Sequence, residues 1–311
     1  MEAVGKEIHA FRPHLKESTI KAYVSALKKL QKRFETDSFD FLDDPESVKE
    51  KLTQGEKPLA YTTVRNIYTA VIIYLLAVNH DASKDKVIQT YKGWQDEYNT
   101  QYQDQNKTGV ISDKQSPNFI TKGELESFIQ DMKKDIKKDP QIYMVYTMFS
   151  ILAEIPLRND LAGLTLVSES KYEKLTDDDK KQRNYLVQDK AGPSVGFTLI
   201  DNIYKTSKKY GEKKIRISGK SPLAKILRAY IRHAVVLREG AVLFPITTNY
   251  LSQLLIKYSQ KYIGKSISTT MIRKIISSDK FLDSKLEQEK HADMLGHSVG
   301  VENLVYIKKK Q

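Results

Sequence analysis

Apolar residues recur every three or four positions along the first hundred residues, the spacing that places side chains on one face of an α-helix. The clearest stripe lies in STIKAYVSALKKLQKRF and consists of Tyr23, Leu27, Leu30 and Phe34. A second helix is predicted to begin near Thr62, and a third to cover Lys84 to Tyr98. The pattern therefore predicts a small helical domain over residues 1–98.

The periodicity changes twice in the rest of the chain. Residues 99–118 are polar and contain a glycine and a proline, which predicts a linker. Helical spacing resumes at residue 119, where Thr121 and Glu124 are placed to form a capping box. Three strand-like segments follow, NYLVQ, GFTLIDNIYKT and KKIRIS, and SKKYGE predicts a turn that makes the last two antiparallel. Helical patterns return from residue 221. The predicted fold class is α+β and mostly helical, with a second domain over 119–311 that carries a small antiparallel sheet.

The balance of charge narrows the class of partner. The chain has 51 Lys and Arg against 39 Asp and Glu, which gives a net charge of +12 and a pI near 9.4. Such a balance favours a polyanionic partner, with nucleic acid first and an anionic membrane second, although a lysine-rich surface also serves solubility. On the first helix Lys21, Lys28 and Lys32 fall almost opposite the apolar stripe. With Arg65, they are candidates for contacts with DNA backbone phosphates, and the alternative is an ordinary solvated face.

Composition also excludes several kinds of chemistry. The chain has no cysteine, so disulfides, thiolate metal sites and cysteine nucleophiles are ruled out. The longest apolar run, AVIIYLLAV, is half the length of a membrane span and is predicted to be a buried helix. The first residues lack the pattern of a signal peptide. We expect a soluble, intracellular protein.

Cleaving a phosphodiester without a metal needs four things. A nucleophile must attack phosphorus, cations must stabilise the non-bridging oxygens, an acid must protonate the leaving oxygen, and all of them must be held in position. Arginine suits the second role because its guanidinium forks onto phosphate and keeps its charge. Tyrosine can be the nucleophile and conserve the bond energy in a covalent link.

Four motifs in the second domain occur in an order that resembles the tyrosine recombinase (phage-type integrase) family. They are AEIPLRNDLAGLTL, IYKTSKKYGEKKIRIS, ISTTMIRKIISSD, and LGHS followed by a tyrosine nine residues after its histidine. The resemblance covers roughly residues 117–306, and the first domain resembles the family's helical core-binding domain more loosely. The motifs identify five candidate catalytic residues: Arg158, Lys205, Arg273, His297 and Tyr306. Lys208 and Lys209 are alternatives to Lys205.

The resemblance implies a site-specific DNA recombinase or integrase. Tyr306 would attack the scissile phosphate and form a 3′-phosphotyrosine intermediate. Arg158, Arg273 and His297 would stabilise the phosphate oxygens, and Lys205 would protonate the leaving 5′-hydroxyl. No metal or other cofactor is implied. The expected partner is double-stranded DNA with specific target sites, on which the subunits assemble as dimers or tetramers, and no membrane is involved.

Two positions depart from the family's pattern. Thr270 stands where the family usually has a histidine, and Leu161, preceded by Asp160, stands where it often has an acidic residue. Threonine can donate a hydrogen bond to phosphate but cannot shuttle protons near neutral pH. A catalytically silent DNA-binding relative is therefore one alternative. A type IB topoisomerase is another, because its catalytic residues are closely similar. The Lys- and Tyr-rich, Cys-free composition is typical of an AT-rich genome, such as that of a virus or a mobile element.

Overall fold

The computed structural model describes residues 2–55, 57–78, 85–189, 195–233, 240–296, 298–301 and 303. The chain divides into two compact units, Met1–Ile111 and Ser112–Gln311. The division falls inside the segment that the sequence predicts to be a linker. The architecture is α+β and mostly helical, as predicted, with one small sheet in the second unit.

The described part of the first unit is built from α-helices and one short 3₁₀ turn. The helices are α1 (Glu2–Phe11), α2 (Glu17–Phe34), α3 (Pro45–Thr53), α4 (Tyr61–Val78) and α5 (Lys86–Lys107). Helix α2 buries Leu27 and Leu30, two members of the predicted stripe, while Tyr23 and Phe34 pack at the edge of the same core.

Helix α4 forms the centre of this core. It is long and apolar enough, by length and composition alone, to cross a membrane. Seven of its side chains are buried in the unit: Val64, Ile67, Tyr68, Ala70, Val71, Ile72 and Leu75. The prediction that AVIIYLLAV lies in a buried helix agrees with this packing.

Two features of the first unit differ from the sequence-based expectation. Helix α3 was not predicted, although Pro45 stands in its first turn and the Asp44 side chain accepts a hydrogen bond from the Ser47 N–H. Helix α5 continues to Lys107, so nine residues of the predicted linker are helical. Those residues are polar because this end of the helix is exposed to solvent.

The second unit opens with the predicted capping box. The Thr121 hydroxyl accepts from the Glu124 N–H, and the Glu124 carboxylate accepts from the Thr121 N–H at 2.7 Å. The helices of this unit are α6 (Lys122–Asp135), α7 (Pro140–Glu154), α8 (Glu169–Glu173), α9 (Asp177–Lys181), α10 (Ser207–Tyr210), α11 (Pro222–His233), α12 (Thr248–Ile263), α13 (Thr269–Met294) and α14 (Val299–Val301). Helix α7 lies at the centre of the core and has nine buried residues.

The sheet contains β1 (Thr165–Ser168), β2 (Tyr185–Gln188), β3 (Phe197–Asp201) and β4 (Lys213–Ile217), in that order. The predicted antiparallel pairing holds for β3 with β4 and also joins β2 to β3. Strand β1 pairs with β2 in parallel, so the sheet is mixed rather than purely antiparallel. The residues between β3 and β4 form a longer connection than the predicted turn, because it includes α10.

The alternation of side chains in β3 and β4 decides what reaches the core. Phe197 and Leu199 are buried on one face of β3 within the main core of the unit, and Ile217 joins them from β4. Ile200 faces the other side and belongs to a separate small cluster with β1 and β2. By this alternation Asp201 shares the face of Phe197 and Leu199.

The end of the second unit also differs from expectation. The sequence predicts separate helices in TTMIRKIISSD and around LEQEKHADMLGH. The structure has one helix of 26 residues, α13, over both segments. No proline or glycine lies between Thr269 and Met294 to end it.

Candidate active site

The two candidate arginines lie on segments that are far apart in sequence and joined by a hydrogen bond. Arg158 has extended backbone geometry and immediately precedes the 3₁₀ turn Asn159–Leu161. Arg273 lies on α13, one helical turn after Thr269. The Thr269 hydroxyl donates to the Asn159 Oδ1 at 2.8 Å. This bond fastens the segment that carries Arg158 to the helix that carries Arg273.

Asn159 is held from a second side as well. Its Nδ2 donates to the Ser252 hydroxyl of α12 at 2.9 Å. Thr269 is 6% exposed, so the bond it makes is protected from water. A buried hydrogen bond of this kind contributes about 1 kcal/mol, and more is lost when one partner is left unsatisfied. The amide of Asn159 therefore sets the position of its neighbour, Arg158, relative to α12 and α13.

The charges of three cationic side chains act on the carboxyl of Asp160. Burial raises the pKa of Asp160, and the positive charges of Arg158, Lys213 and Arg273 oppose that rise. The charges of both candidate arginines therefore act on one carboxyl group, as does the charge of a lysine that the sequence did not single out.

Both arginines remain available to a ligand. Each is half-buried. In the part of the chain that the structure describes, neither guanidinium has a hydrogen bond or an ion pair within 4 Å. Arg216, by contrast, forms a bidentate ion pair with Asp189. Half-buried guanidinium groups that lack a close protein partner are suited to bind an oxyanion such as phosphate.

A second carboxyl, Asp201 at the end of β3, belongs to the same site. It is 3% exposed, and its Oδ1 has no hydrogen-bond partner among the described residues. Burial raises the pKa of Asp201 to about 6, the charge of Asp160 adds to the rise, and Lys213 opposes it. Lys213 is the direct cross-strand neighbour of Asp201.

An asparagine holds the chain that leaves β3. The Asn184 Oδ1 accepts from the backbone N–H of Asn202 at 2.8 Å and of Ile203 at 2.7 Å. Its Nδ2 donates to the Ile203 carbonyl at 3.1 Å. Asn184 is 8% exposed and immediately precedes β2. The path of the backbone after Asp201 is thereby fixed.

The lysines of the β3–β4 region occupy different places. Lys205, the candidate from the resemblance, is exposed in the connection, and Lys208 and Lys209 are exposed on α10. No contact of the described residues joins Lys205 to Arg158 or Arg273. Lys213 is exposed as well and lies at the first position of β4, with its Nζ 3.7 Å from the centre of the Tyr204 ring. The buried Tyr204 is itself anchored, because its hydroxyl donates to the Gly211 carbonyl at 2.8 Å.

Sequence reasoning passed over both Lys213 and Asp201. The signal available was the period of two in the strands, which places Lys213 on the same face as Ile215 and Ile217. That signal becomes useful only when the register of β3 with β4 is known.

Two further candidates, His297 and Tyr306, lie outside the described residues. Thr270 is exposed in the first turn of α13.

The candidate DNA contacts of the first unit lie on two helices. Lys21, Lys28 and Lys32 are all exposed on α2. Lys21 forms an ion pair with Glu17 at 2.6 Å, which lowers its availability to a phosphate. Arg65 is half-buried on α4, and its guanidinium lies 4.3 Å from the centre of the Tyr102 ring.

Within the described residues, no cluster of three or more His, Asp or Glu side chains could hold a metal ion.

Comparisons with known proteins add a structural likeness. No protein-family model matches the chain, and no curated protein sequence matches it. Among solved structures, it is similar to the crystal structure of XerA recombinase, at 12% identity. The alignment covers 99% of this chain and 94% of that chain, with a TM-score of 0.35. A likeness at this identity and TM-score assigns no residue a role.

Proposed function

We propose that this chain is a DNA strand-breaking and strand-rejoining enzyme of the tyrosine recombinase type. The observation that carries the proposal is the 2.8 Å hydrogen bond between Thr269 and Asn159, which joins the segment of Arg158 to the helix of Arg273. The charges of both arginines also act on the Asp160 carboxyl. The sequence resemblance identifies both arginines, which are 115 positions apart. Two half-buried guanidinium groups that have no hydrogen bond or ion pair among the described residues can bind the two non-bridging oxygens of one phosphate.

The proposed reaction uses these cations to stabilise charge on phosphorus. Tyr306 attacks the scissile phosphate and forms a 3′-phosphotyrosine link, which conserves the energy of the broken bond. Arg158, Arg273 and His297 stabilise the phosphate oxygens as charge shifts among them. A lysine protonates the leaving 5′-oxygen. The resemblance points to Lys205 for that role, and the position of Lys213 makes it a second candidate.

Double-stranded DNA is the proposed partner. The net charge of +12 favours association with a polyanion. The exposed Lys28 and Lys32, with Lys21 and Arg65, would contact backbone phosphates and contribute affinity without reading sequence. Recombination between two sites requires at least two bound subunits, so we propose assembly into dimers or tetramers on DNA. The activity implies a soluble protein that works inside a cell.

The proposal is tested by covalent capture. Target sites are first selected from a random DNA pool with the purified chain, and a selected duplex is nicked close to the cleavage position so that the cleaved end diffuses away. The wild type is expected to become covalently attached to this DNA, and Tyr306→Phe is expected to give no adduct. Tyr210→Phe, at a tyrosine that is 62% exposed, is the matched control and should behave like the wild type.

Three outcomes would contradict or redirect the proposal. Absence of an adduct with the wild type on a tightly bound duplex would leave a DNA-binding protein without strand cleavage. Adduct at wild-type levels with Tyr306→Phe would remove the assigned nucleophile. Adduct formation together with relaxation of supercoiled plasmid, and no exchange between two target sites, would favour a topoisomerase.

A further inference from the structure

The chain that enters the second unit is hydrogen-bonded to the loop in front of α13. We call residues 115–118, which lie just after the boundary between the two units, the strap. The Asn118 Oδ1 accepts from the Ser266 N–H at 2.7 Å, and the Pro117 carbonyl accepts from the Lys265 Nζ at 3.1 Å. Each bond joins residues 148 positions apart, so both belong to the tertiary structure and not to a local turn.

The loop itself, residues 264–268, sets the place where α13 begins, because it connects the end of α12 to Thr269. It is held from the side of α12 as well. The Ile267 N–H donates to the Ser259 hydroxyl at 2.9 Å, and both residues are fully buried. Backbone N–H groups that are bonded in this way fix the path of the chain. The loop is therefore held between α12 on one side and the strap on the other.

The strap also contacts α13 directly, beside Arg273. The Gln115 Oε1 accepts from the Nζ of Lys274, the residue that follows Arg273, at 2.5 Å. The end of the strap is anchored, because the nearby Ile120 is 3% exposed and belongs to the main core of the second unit. The strap is thus attached to that core and is hydrogen-bonded both to α13 and to the loop that precedes it.

The position of Arg273 depends on where α13 begins. Arg273 lies one helical turn after Thr269, the first residue of the helix, so a shift of the loop moves the guanidinium with the helix. Among the described residues Arg273 has no hydrogen bond or ion pair that would hold its side chain independently. Placement matters in catalysis, since a shift of about 1 Å caused far from the chemistry can cost roughly 100-fold in rate.

We propose that the strap is a positioning segment for Arg273, in which Asn118 fixes the loop in front of α13 so that the guanidinium meets the scissile phosphate. The inference rests on the strand-breaking function proposed above. Asn118 does not touch the reacting phosphate and acts through the loop and the helix. Removal of its hydrogen-bond acceptor therefore lowers the rate of strand cleavage and leaves the affinity for DNA unchanged.

The test compares two nicked target duplexes that differ at the scissile phosphorus. In the second duplex a methyl group replaces one non-bridging oxygen, so the methylphosphonate carries no negative charge for a cation to balance. Rates of covalent attachment in a single turnover are measured with saturating protein on the phosphate duplex and on the methylphosphonate duplex. On the phosphate duplex, Arg273→Ala is expected to be slower by about 100-fold or more. Asn118→Ala, which leaves the arginine in place on a loosened helix start, is expected to be slower by roughly 10-fold.

The methylphosphonate duplex separates positioning of a cation from a purely structural role. The losses in Arg273→Ala and Asn118→Ala, each taken relative to the wild type on the same duplex, should both be smaller there. Asn118→Asp keeps an oxygen that accepts from the Ser266 N–H, so it should stay close to the wild-type rate on the phosphate duplex. Ser116→Ala, at an exposed strap residue, is the matched control and should keep the wild-type rate on both duplexes. Binding titrations should give one affinity for the wild type and all strap variants.

Three results would overturn the inference. A loss in Asn118→Ala that is equal on both duplexes would indicate a structural role only, because partly unfolded protein is slow on either. A wild-type rate in Asn118→Ala on the phosphate duplex would remove its positioning role. A loss in Asn118→Asp as large as that in Asn118→Ala would show that the acceptor oxygen does not hold the loop. In each of these cases the wild type still forms the adduct on the phosphate duplex; if it forms none, the strand-breaking function itself fails.

Discussion

Asp201→Asn is expected to make the protein more stable at neutral pH. In the folded protein, burial and the Asp160 charge raise the pKa of Asp201 from 3.8 to about 6. At neutral pH the fold therefore contains a buried carboxylate with an unpartnered oxygen, whereas the unfolded chain hydrates the same group. Asparagine has nearly the same shape and carries no charge.

The size and direction of the effect follow from proton binding. Between pH 3.8 and about 6 the folded protein holds the Asp201 proton and the unfolded chain does not. The stability that protonated Asp201 contributes is thus fully present below the pKa of 3.8 that this group has in the unfolded chain. It is lost as the pH rises through the folded pKa of about 6. The difference between the two pKa values corresponds to about 3 kcal/mol, of which about half is lost between pH 5 and pH 8.

The assay is urea unfolding followed by far-ultraviolet circular dichroism at several pH values from 5 to 8. The free energy of unfolding of Asp201→Asn minus that of the wild type should grow by about 1.5 kcal/mol over this range. A difference that stays constant, or that shrinks as the pH rises, would refute the reasoning that the carboxylate is buried and charged at neutral pH.

Asp189→Asn is the matched control because it should change in the opposite direction. The Arg216 guanidinium beside it lowers the pKa of Asp189. Its contribution to stability is therefore present above the unfolded pKa and is lost as the pH falls through the folded pKa. Asp189→Asn should destabilise the protein at neutral pH, and the deficit should become smaller in acid.

Four further predictions concern stability and DNA affinity. In the first unit Tyr68→Phe should be neutral or stabilising, because the buried Tyr68 hydroxyl has no partner among the described residues. Tyr91→Phe should cost about 1 kcal/mol in urea unfolding, because it loses the bond to the Leu42 carbonyl. Thr121→Ala should cost about 1 kcal/mol by the same measurement, since it removes the capping box. Lys28→Ala should reduce the slope of log affinity against log salt in a DNA-binding titration by about 0.9. An unchanged slope would place Lys28 away from the phosphates.

Local features of the chain could be predicted where neighbouring residues decide the outcome. The Thr121–Glu124 capping box spans four residues, and the apolar stripe of α2 spans three turns of one helix. Each depends on contacts close in sequence or on a single buried face. The antiparallel pairing of β3 with β4 was also predictable, because both strands lie close together in the sequence.

The site was harder to predict because its geometry depends on distant contacts. The Asn159–Thr269 bond joins residues 110 positions apart. Lys213 was missed because its importance follows from strand register, and the catalytic motif pointed to Lys205 in the connection. The extent of α5 was missed because a polar solvent-exposed helix end has the composition of a linker. In these cases tertiary contacts decide what composition and spacing leave open.

The most direct test of the account is to locate the covalent link on the protein. Trypsin cuts after Lys290 and Lys308, and the peptide between these cuts contains a single tyrosine, Tyr306. After attachment to a nicked target duplex, nuclease and trypsin digestion followed by mass spectrometry should find a phosphonucleotide on peptide 291–308. A phosphonucleotide on a peptide with another of the 18 tyrosines, or no modified peptide from a DNA-bound wild type, would contradict the account.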